Sequence, residues 1–438
     1  MENKKSVQRR NFLKATVAGA VGVGVAGSAP VNLMGGETKA DLGIKSFRML
    51  GKTGFKVSDI SMGYSNNVAV IQGALRAGVN YIDTAEVYRN QPAVGKAIKE
   101  GGFDRKKIFI TSKLVIDKKK EVTKESFVKR FNQCLKELQT DYIDCMMIHS
   151  CEDLETMKTP GFHAAMDQMK KEGKLKHVGI SNHGTNWYMK PKVSMSEILT
   201  AAANDGRFDV MLLAYNFVQD DMGAKVLELC KKKNIGTTLM KVNPVGTFHK
   251  MKERAKKIKE AKRELDEFTK SGLAIFEAKA KKAEGFIKKY KLDNQKEISD
   301  AAIKFTLDNN DVATVCCGMR NFEQMEGFIK LSGTRLNGRE KKKLAAFKAG
   351  PAIFYCRHAC GICESACKHN VPVNTIMRYH HYFDAHGREK YAMKQYAGLK
   401  TNKADLCASC KGDCQSACPY GVAIHGMMNI AHSNLEIG

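Results

Sequence analysis

Eight of the chain's 14 cysteines fall in two tight runs between Cys356 and Cys418. The first reads Cys356-x3-Cys360-x2-Cys363-x3-Cys367, and the second Cys407-x2-Cys410-x3-Cys414-x3-Cys418 with Pro419 directly after it. Four thiolates bunched in this way can hold an iron–sulfur cluster, and such runs often close on proline. Zinc also takes cysteines, but usually as two pairs around a longer spacer. Disulfides are a third possibility, since eight is an even number. The spacing favours two 4Fe–4S clusters over zinc or disulfides, and it leaves open which cysteines share a cluster. The other six, Cys134, Cys145, Cys151, Cys230, Cys316 and Cys317, sit in apolar surroundings such as Asp144-Cys145-Met146-Met147-Ile148. They read as small hydrophobes packed in a core.

Such groups need a scaffold, and 438 residues can supply a barrel of about 250 residues with more besides. From Phe47 short apolar runs alternate with amphipathic helical stretches, the pattern of a parallel sheet built from βα units. Leu50–Ser58 reads as a hairpin with a glycine turn. The strand candidates are Ile60–Gly63, Asn80–Thr84, Ile108–Lys113, Tyr142–His149, Val178–Asn182, Val210–Tyr215, Gly236–Lys241 and Ala313–Gly318. Eight βα units close naturally into a barrel. Helix-patterned segments such as Phe127–Leu138 and Phe162–Lys171 separate the strands. A lysine-rich helical insertion, Lys250–Leu292, follows the seventh strand; it reads as a solvated surface hairpin, with a cover over the barrel mouth as the alternative. Between the cysteine runs Asn374–Leu399 has helical composition, so the cysteine module is expected to be α-helical.

The motifs along the barrel resemble the aldo/keto reductase family over roughly Ser46 to Gly350. Leu50-Gly51-Lys52-Thr53-Gly54-Phe55-Lys56-Val57-Ser58 is similar to the family's opening hairpin, and Asn80-Tyr81-Ile82-Asp83-Thr84-Ala85 to its second strand. The resemblance implies a (β/α)8 TIM barrel of the α/β class and a catalytic tetrad of Asp83, Tyr88, Lys113 and His149. Barrel enzymes work at the C-terminal ends of their strands, where Asp83, Lys113 and His149 fall. Adding hydride to a carbonyl requires an acid for the new alkoxide. A tyrosine can serve if a cation such as Lys113 lowers its pKa, with Asp83 holding the lysine and His149 orienting the substrate oxygen. Gly179-Ile180-Ser181-Asn182 resembles the fifth strand, whose Ser-Asn pair, here Ser181 and Asn182, binds the nicotinamide amide. Arg320 is the one basic residue in the segment that resembles the family's phosphate-binding stretch. Leu212 stands where the family has a glutamine. NAD(P) is thus an expected cofactor with fewer contacts than usual.

Both cysteine runs resemble ferredoxin cluster motifs, which implies a C-terminal α-helical ferredoxin-like module over 351–438, after a barrel over 46–350. Gln8-Arg9-Arg10-Asn11-Phe12-Leu13-Lys14 resembles a twin-arginine export signal, followed by a short Gly/Ala-rich run to Ala29. The assignment is a signal over 1–29 and a linker over 30–45. The apolar run is shorter than the roughly 20 residues of a membrane span. Small residues around Gly27-Ser28-Ala29 would permit cleavage, but Pro30 leaves an uncleaved anchor open. This route moves folded proteins, so clusters can be inserted first, and a nicotinamide cofactor would have to leave the cytoplasm already bound.

The charge balance of +26, from 72 Lys+Arg against 46 Asp+Glu, could serve nucleic acid or an anionic membrane. The lysines are spread over helical stretches with no stacking aromatics between them, so they read as solvated faces and no nucleic-acid partner is expected. The reading that follows is an exported, periplasmic oxidoreductase interconverting a carbonyl and an alcohol, with clusters as electron relay. Its partners would be a small carbonyl or alcohol substrate such as a sugar, a redox partner and the twin-arginine export machinery. The rival is an electron-transfer or partner-binding protein with a non-catalytic barrel.

Overall fold

The computed structural model describes residues 42–117, 122–183, 193–261, 264–265, 267–358 and 360–437. The twin-arginine segment therefore lies outside the described residues. A two-stranded antiparallel hairpin, β1 (Phe47–Met49) with β2 (Lys56–Ser58), comes first, in the register Phe47 opposite Ser58. Eight parallel strands follow: β3 (Ile60–Met62), β4 (Tyr81–Asp83), β5 (Phe109–Val115), β6 (Ile143–His149), β7 (Leu175–Asn182), β8 (Val210–Ala214), β9 (Gly236–Met240) and β10 (Thr314–Cys317). They close in the order β10-β3-β4-β5-β6-β7-β8-β9. All eight strands expected from the alternating pattern are present, with ends shifted by a few residues.

The period of two along each strand sorts the side chains. Tyr81, Phe109, Cys145, Met147, Val210 and Leu212 fill the inside, and Leu50 and Val57 of the hairpin segment plug it. Residues of the opposite parity, such as Ile82, Ile110, Met146 and Ile148, pack outward against the helical ring. Gly51, at φ 50°, lies so close to the backbone of residues 234–236 that a Cβ there would clash. Only glycine fits this seat of the hairpin.

The insertion departs from the solvated hairpin expected of it. Its helices, Thr247–Glu260 and Glu267–Tyr290, each bury a stripe at i, i+3, i+7 and i+10: Phe248, Met251, Ala255 and Ile258, then Leu273, Phe276, Ala280 and Ala283. These stripes share a second core with Phe354, Ile376, Met427, Met428 and Ile430 of the cysteine-bearing segment. Lysines crowd the other face and hid the stripe from a reading of composition. Helix Ile424–Leu435 crosses helix Glu267–Tyr290 so closely that a Cβ on Gly426 would strike Gly272 O and Phe276 Cβ. Arg254 Nε pairs with Asp384 Oδ1 at 2.9 Å, tying the insertion to helix Val373–Ala385. The segment between the cysteine runs is helical as expected, over Val373–Ala385 and Glu389–Ala397, with a break at Gly387 (φ 56°). Barrel, insertion and cysteine segment form one unit from Leu42 onward. Among the described residues no helix is long and apolar enough to cross a membrane.

Candidate active site

The alternation that fills the barrel also builds its mouth. Asp83 lies two residues beyond Tyr81, Lys113 four beyond Phe109, and His149 two beyond Met147. All three therefore share the interior parity at the C-terminal ends of β4, β5 and β6. Lys113 is fully buried, and its Nζ donates to Asp83 Oδ2 at 2.7 Å and to Thr84 O at 2.7 Å. Its Nζ also stands 4.7 Å from the centroid of the Tyr88 ring. Tyr88 ends a 3-10 turn, Glu86–Tyr88, and its ring meets His149 edge-on at 5.5 Å. The structure thus brings Asp83, Tyr88, Lys113 and His149 together.

Glu86 and Arg130 carry no distinctive mark in the sequence, yet they set the Tyr88 turn. Glu86 accepts from Val115 N at 2.8 Å and from Arg130 Nε at 3.0 Å, which fastens the turn to the end of β5. Their signal is faint: an acid two positions before Tyr88 and an arginine on a helix far along the chain.

Burial dominates the electrostatics. It holds the His149 imidazole well below its ordinary pKa, with Lys113 and Arg378 adding to the effect. Among the described residues His149 Nδ1 is buried without a hydrogen-bond partner. Burial also raises the Asp83 carboxyl, against the pull of Lys113. The Tyr88 phenol is pushed well above its usual value by burial first, then by Asp83 and Tyr382, while Arg388 opposes. The expected lowering by Lys113 is not what this arrangement gives. Lys113 directs its short hydrogen bonds at Asp83 and Thr84, and the cation that draws the phenol down is Arg388.

The residues expected at a nicotinamide behave differently. Ser181 and Asn182 are fully buried. Ser181 Oγ donates to Ile148 O at 3.3 Å and accepts from Ser150 N, and Asn182 Nδ2 donates to Cys151 O. Neither lines the cavity, whereas Arg320 and Leu212 do. The neighbouring His183 Nδ1 is held at 2.9 Å by Arg378 Nη1 of the cysteine-bearing segment.

The cysteine-bearing segment roofs the mouth. Asn216 Nδ2 donates to Tyr355 Oη at 3.2 Å, Gln219 Nε2 to His358 O, and Arg357 Nε to Val218 O at 2.9 Å. Beneath this roof lies a cavity of about 1510 Å³ lined by Asp83, Tyr88 and His149 from the barrel and by Arg378, Tyr382 and Arg388 from the roof. Sequence reasoning missed these roof residues. The run Arg378-Tyr379-His380-His381-Tyr382, polar aromatics in mid-helix, was the available hint.

All eight clustered cysteines are free thiols, so the structure contains no disulfide between them. Cys356, Cys363, Cys367, Cys407, Cys414 and Cys418 pack in or against the second core. Val371 N donates to Cys367 Sγ at 3.3 Å, Gly412 N to Cys410 Sγ at 3.3 Å, and Asn374 Nδ2 to Cys356 Sγ at 3.4 Å. Lys368 and Asp413, paired at 3.0 Å, tie the two runs together. Burial raises the thiol of Cys356, with Cys360 and Cys418 adding to it, and that of Cys407, with Cys414, Cys367 and Cys410 adding. Among the described residues no three His, Cys, Asp or Glu side chains stand close enough to hold a single metal ion. Of the scattered six, Cys134, Cys145, Cys151, Cys230 and Cys317 are buried in the barrel cores as expected, and Cys316 is half-buried at the cavity wall.

Residues 49–348, more than half the chain, match the model of the aldo/keto reductase family. The chain belongs to the aldo/keto reductase family. It is 35% identical over 115 residues to a methylglyoxal reductase of Salmonella typhi, covering 26% of this chain and 42% of that protein. To glycerol 2-dehydrogenase (NADP(+)) of Saccharomyces cerevisiae it is 29% identical over 225 residues, 44% of this chain and 67% of that protein. An aldo-keto reductase structure from Bacillus halodurans aligns over 72% of this chain and 100% of that one, at 20% identity and a TM-score of 0.49. The chain thus spans about two fifths of the length of the first curated relatives it matches.

Proposed function

We propose that this aldo/keto reductase family member is an exported iron–sulfur oxidoreductase that interconverts a small carbonyl compound and its alcohol at the barrel mouth. The observation that carries the reading is the meeting of Asp83, Tyr88, Lys113 and His149 at one cavity roofed by the cysteine-bearing helices. The substrate oxygen would lie between Tyr88 Oη and His149. The Tyr88 phenol is protonated at neutral pH and more acidic than an alcohol, so it can hand its proton to a developing alkoxide, while the clusters would supply the two electrons and solvent the second proton. A neutral His149 orients that oxygen by a hydrogen bond without adding a charge. The Asp83–Lys113 pair sits behind the Tyr88 ring as a fixed wall.

Eight thiols receiving N–H donors at Cys356, Cys367 and Cys410 make a donor set that suits iron–sulfur chemistry. Two 4Fe–4S clusters would supply one-electron carriers, held by Cys356, Cys360, Cys363 and Cys418 and by Cys367, Cys407, Cys410 and Cys414. The mutual influence of Cys356, Cys360 and Cys418, and of Cys367, Cys407, Cys410 and Cys414, supports this grouping, while Cys363 feels Cys356, Cys414 and Cys418 alike. The grouping follows the ferredoxin habit of lending the fourth cysteine to the other cluster. Ser181 and Asn182 are turned to Ile148 O and Cys151 O and stay off the cavity wall; NAD(P)H, where bound, would supply a hydride, and no step is routed through it. The Arg9-Arg10 run supports export of the folded, loaded protein to the periplasm, with a redox partner there. The Ser181–Asn182 pair, turned to its own backbone, favours the rival reading, an electron-transfer protein with a silent barrel.

The test uses anaerobically purified full-length protein. About eight iron and eight sulfide per chain are expected, since two 4Fe–4S clusters contain that many. With methylglyoxal and a reduced viologen as electron donor, Tyr88→Phe should lower turnover by about 10²–10⁴-fold. Stoichiometric zinc would remove the clusters from this account, and parent-like turnover by Tyr88→Phe would remove the tyrosine.

A further inference from the structure

We infer that Lys241, Arg320 and Arg388 form an anion-binding group that recognises a carboxylate or phosphate on the substrate, so that the substrate is an anionic carbonyl or hydroxy compound. The inference rests on the reading of Tyr88 as the reacting end of the cavity.

The argument starts from matching charges around the cavity. Lys113 is answered by Asp83, and Arg130 by Glu86. Arg378 has Glu152 at 3.9 Å, and Asp384 takes Arg254 through its carboxylate and Lys250 through its carbonyl oxygen. Four wall cations are left with no carboxylate partner among the described residues, the exposed Arg89 and the half-buried Lys241, Arg320 and Arg388, and all four line the same cavity as Tyr88. The three half-buried ones converge on one place. Lys241 Nζ stands 4.7 Å from the Tyr382 ring centroid, and the Arg388 Cζ 5.8 Å from it. Arg320 reaches the turn that carries Arg388: a Cβ built on Gly387 would stand 3.8 Å from Arg320 Nη1.

Half-buried like charges without counter-ions carry both desolvation and repulsion. Burial, then Arg388 among its neighbours, lowers the Arg320 guanidinium, and burial with Arg378 and Arg388 lowers the Lys241 amine. A bound anion relieves both costs, and the arginine fork suits carboxylate or phosphate. Arg388 and Tyr382 also bear on the Tyr88 phenol, so an anion here lies beside the reacting end. Arg388 falls after residue 348, where the family match ends. The roof therefore supplies a recognition element that the barrel alone lacks.

A dinucleotide phosphate has the same chemistry, and matched ligand pairs separate the two sources. Calorimetric titration of the full-length protein would compare 4-carboxybenzaldehyde with benzaldehyde, glyceraldehyde 3-phosphate with glyceraldehyde, and NADP with NAD. The charged member of each carbonyl pair should bind about tenfold tighter, the effect of one charge-assisted hydrogen bond. That preference should vanish in the Arg388→Gln/Lys241→Met double variant, persist in Arg388→Lys, and shrink with added salt. Melting temperatures of the variants check that they fold, and Arg388→Lys gives the readout if the double variant does not. Equal binding within the carbonyl pairs, a preference that survives in a folded double variant, or one confined to NADP would overturn the inference. Anion preference without turnover of any carbonyl would instead defeat the reductase reading and leave this site standing.

Discussion

The Asp83–Lys113 pair offers a direct measure of how far the site depends on burial. Lys113 is fully buried, with Asp83 Oδ2 and Thr84 O as its partners at 2.7 Å each. Asp83→Ala leaves the ammonium facing one carbonyl in a low-dielectric interior, and breaking a buried pair in this way costs about 3–5 kcal/mol. Lys113→Met should cost less, about 1–3 kcal/mol, the range for an unsatisfied buried group. The reason is that the Asp83 carboxyl, already raised by burial, can take up a proton and become neutral. Asp83→Ala/Lys113→Met removes both charges, so its cost should fall below the sum of the two single changes by at least about 1 kcal/mol. Urea unfolding of the three variants followed by far-UV circular dichroism measures this. With an unfolding entropy of about 2.1 cal/mol/K per residue over the unit from Leu42 to Gly438, the shift is roughly 1 °C per kcal/mol, so Asp83→Ala should also melt about 4–6 °C lower. Additive single costs, with coupling under about 0.5 kcal/mol, would refute the picture of a desolvated pair and make Asp83 and Lys113 independent side chains.

Three further outcomes are expected. Burial pushes the His380 imidazole down to about 4 and that of His381 to about 3. Unfolded chains bind those protons below about pH 6.5 while the folded protein does not, so stability present above that pH is lost as pH falls, by about 1.4 kcal/mol per histidine per pH unit. Urea midpoints at pH 7.5 and 5.5 should diverge in the parent and diverge less in His380→Asn/His381→Asn, the remainder coming from His149, His183, His358 and His386, which burial also lowers. Phe276→Ala, at the joint between insertion and cysteine segment, should cost about 3–5 kcal/mol in the same assay; a cost below about 1 kcal/mol would show that the two do not share a core. Arg9→Lys together with Arg10→Lys should hold the precursor in the cytoplasm, read by fractionation; unaltered export would withdraw the twin-arginine reading.

What is legible in the amino-acid order and what is hidden there follow one physical rule. Strand periodicity is local, so the eight strands and the shared parity of Asp83, Lys113 and His149 can be read from the order of residues alone. Thiol spacing is local as well, and it locates the two cysteine runs without saying how they group. The roof depends on pairings far apart in the chain. Arg378 meets His183, Gln219 meets the His358 carbonyl, and the insertion helices meet Ile424–Leu435. None of these leaves a trace at short spacing. The same non-local contacts explain two of the expectations that changed. The insertion's apolar stripes look sparse because lysines crowd the positions between them, and their partner surface lies far along the chain. Ser181 and Asn182 carry the residue types of a nicotinamide site, but whether a side chain faces a ligand or its own backbone depends on what covers it. Here Arg378 meets His183 beside the pair, Ser181 and Asn182 turn to their own backbone, and the roof places cations of its own beside Tyr88.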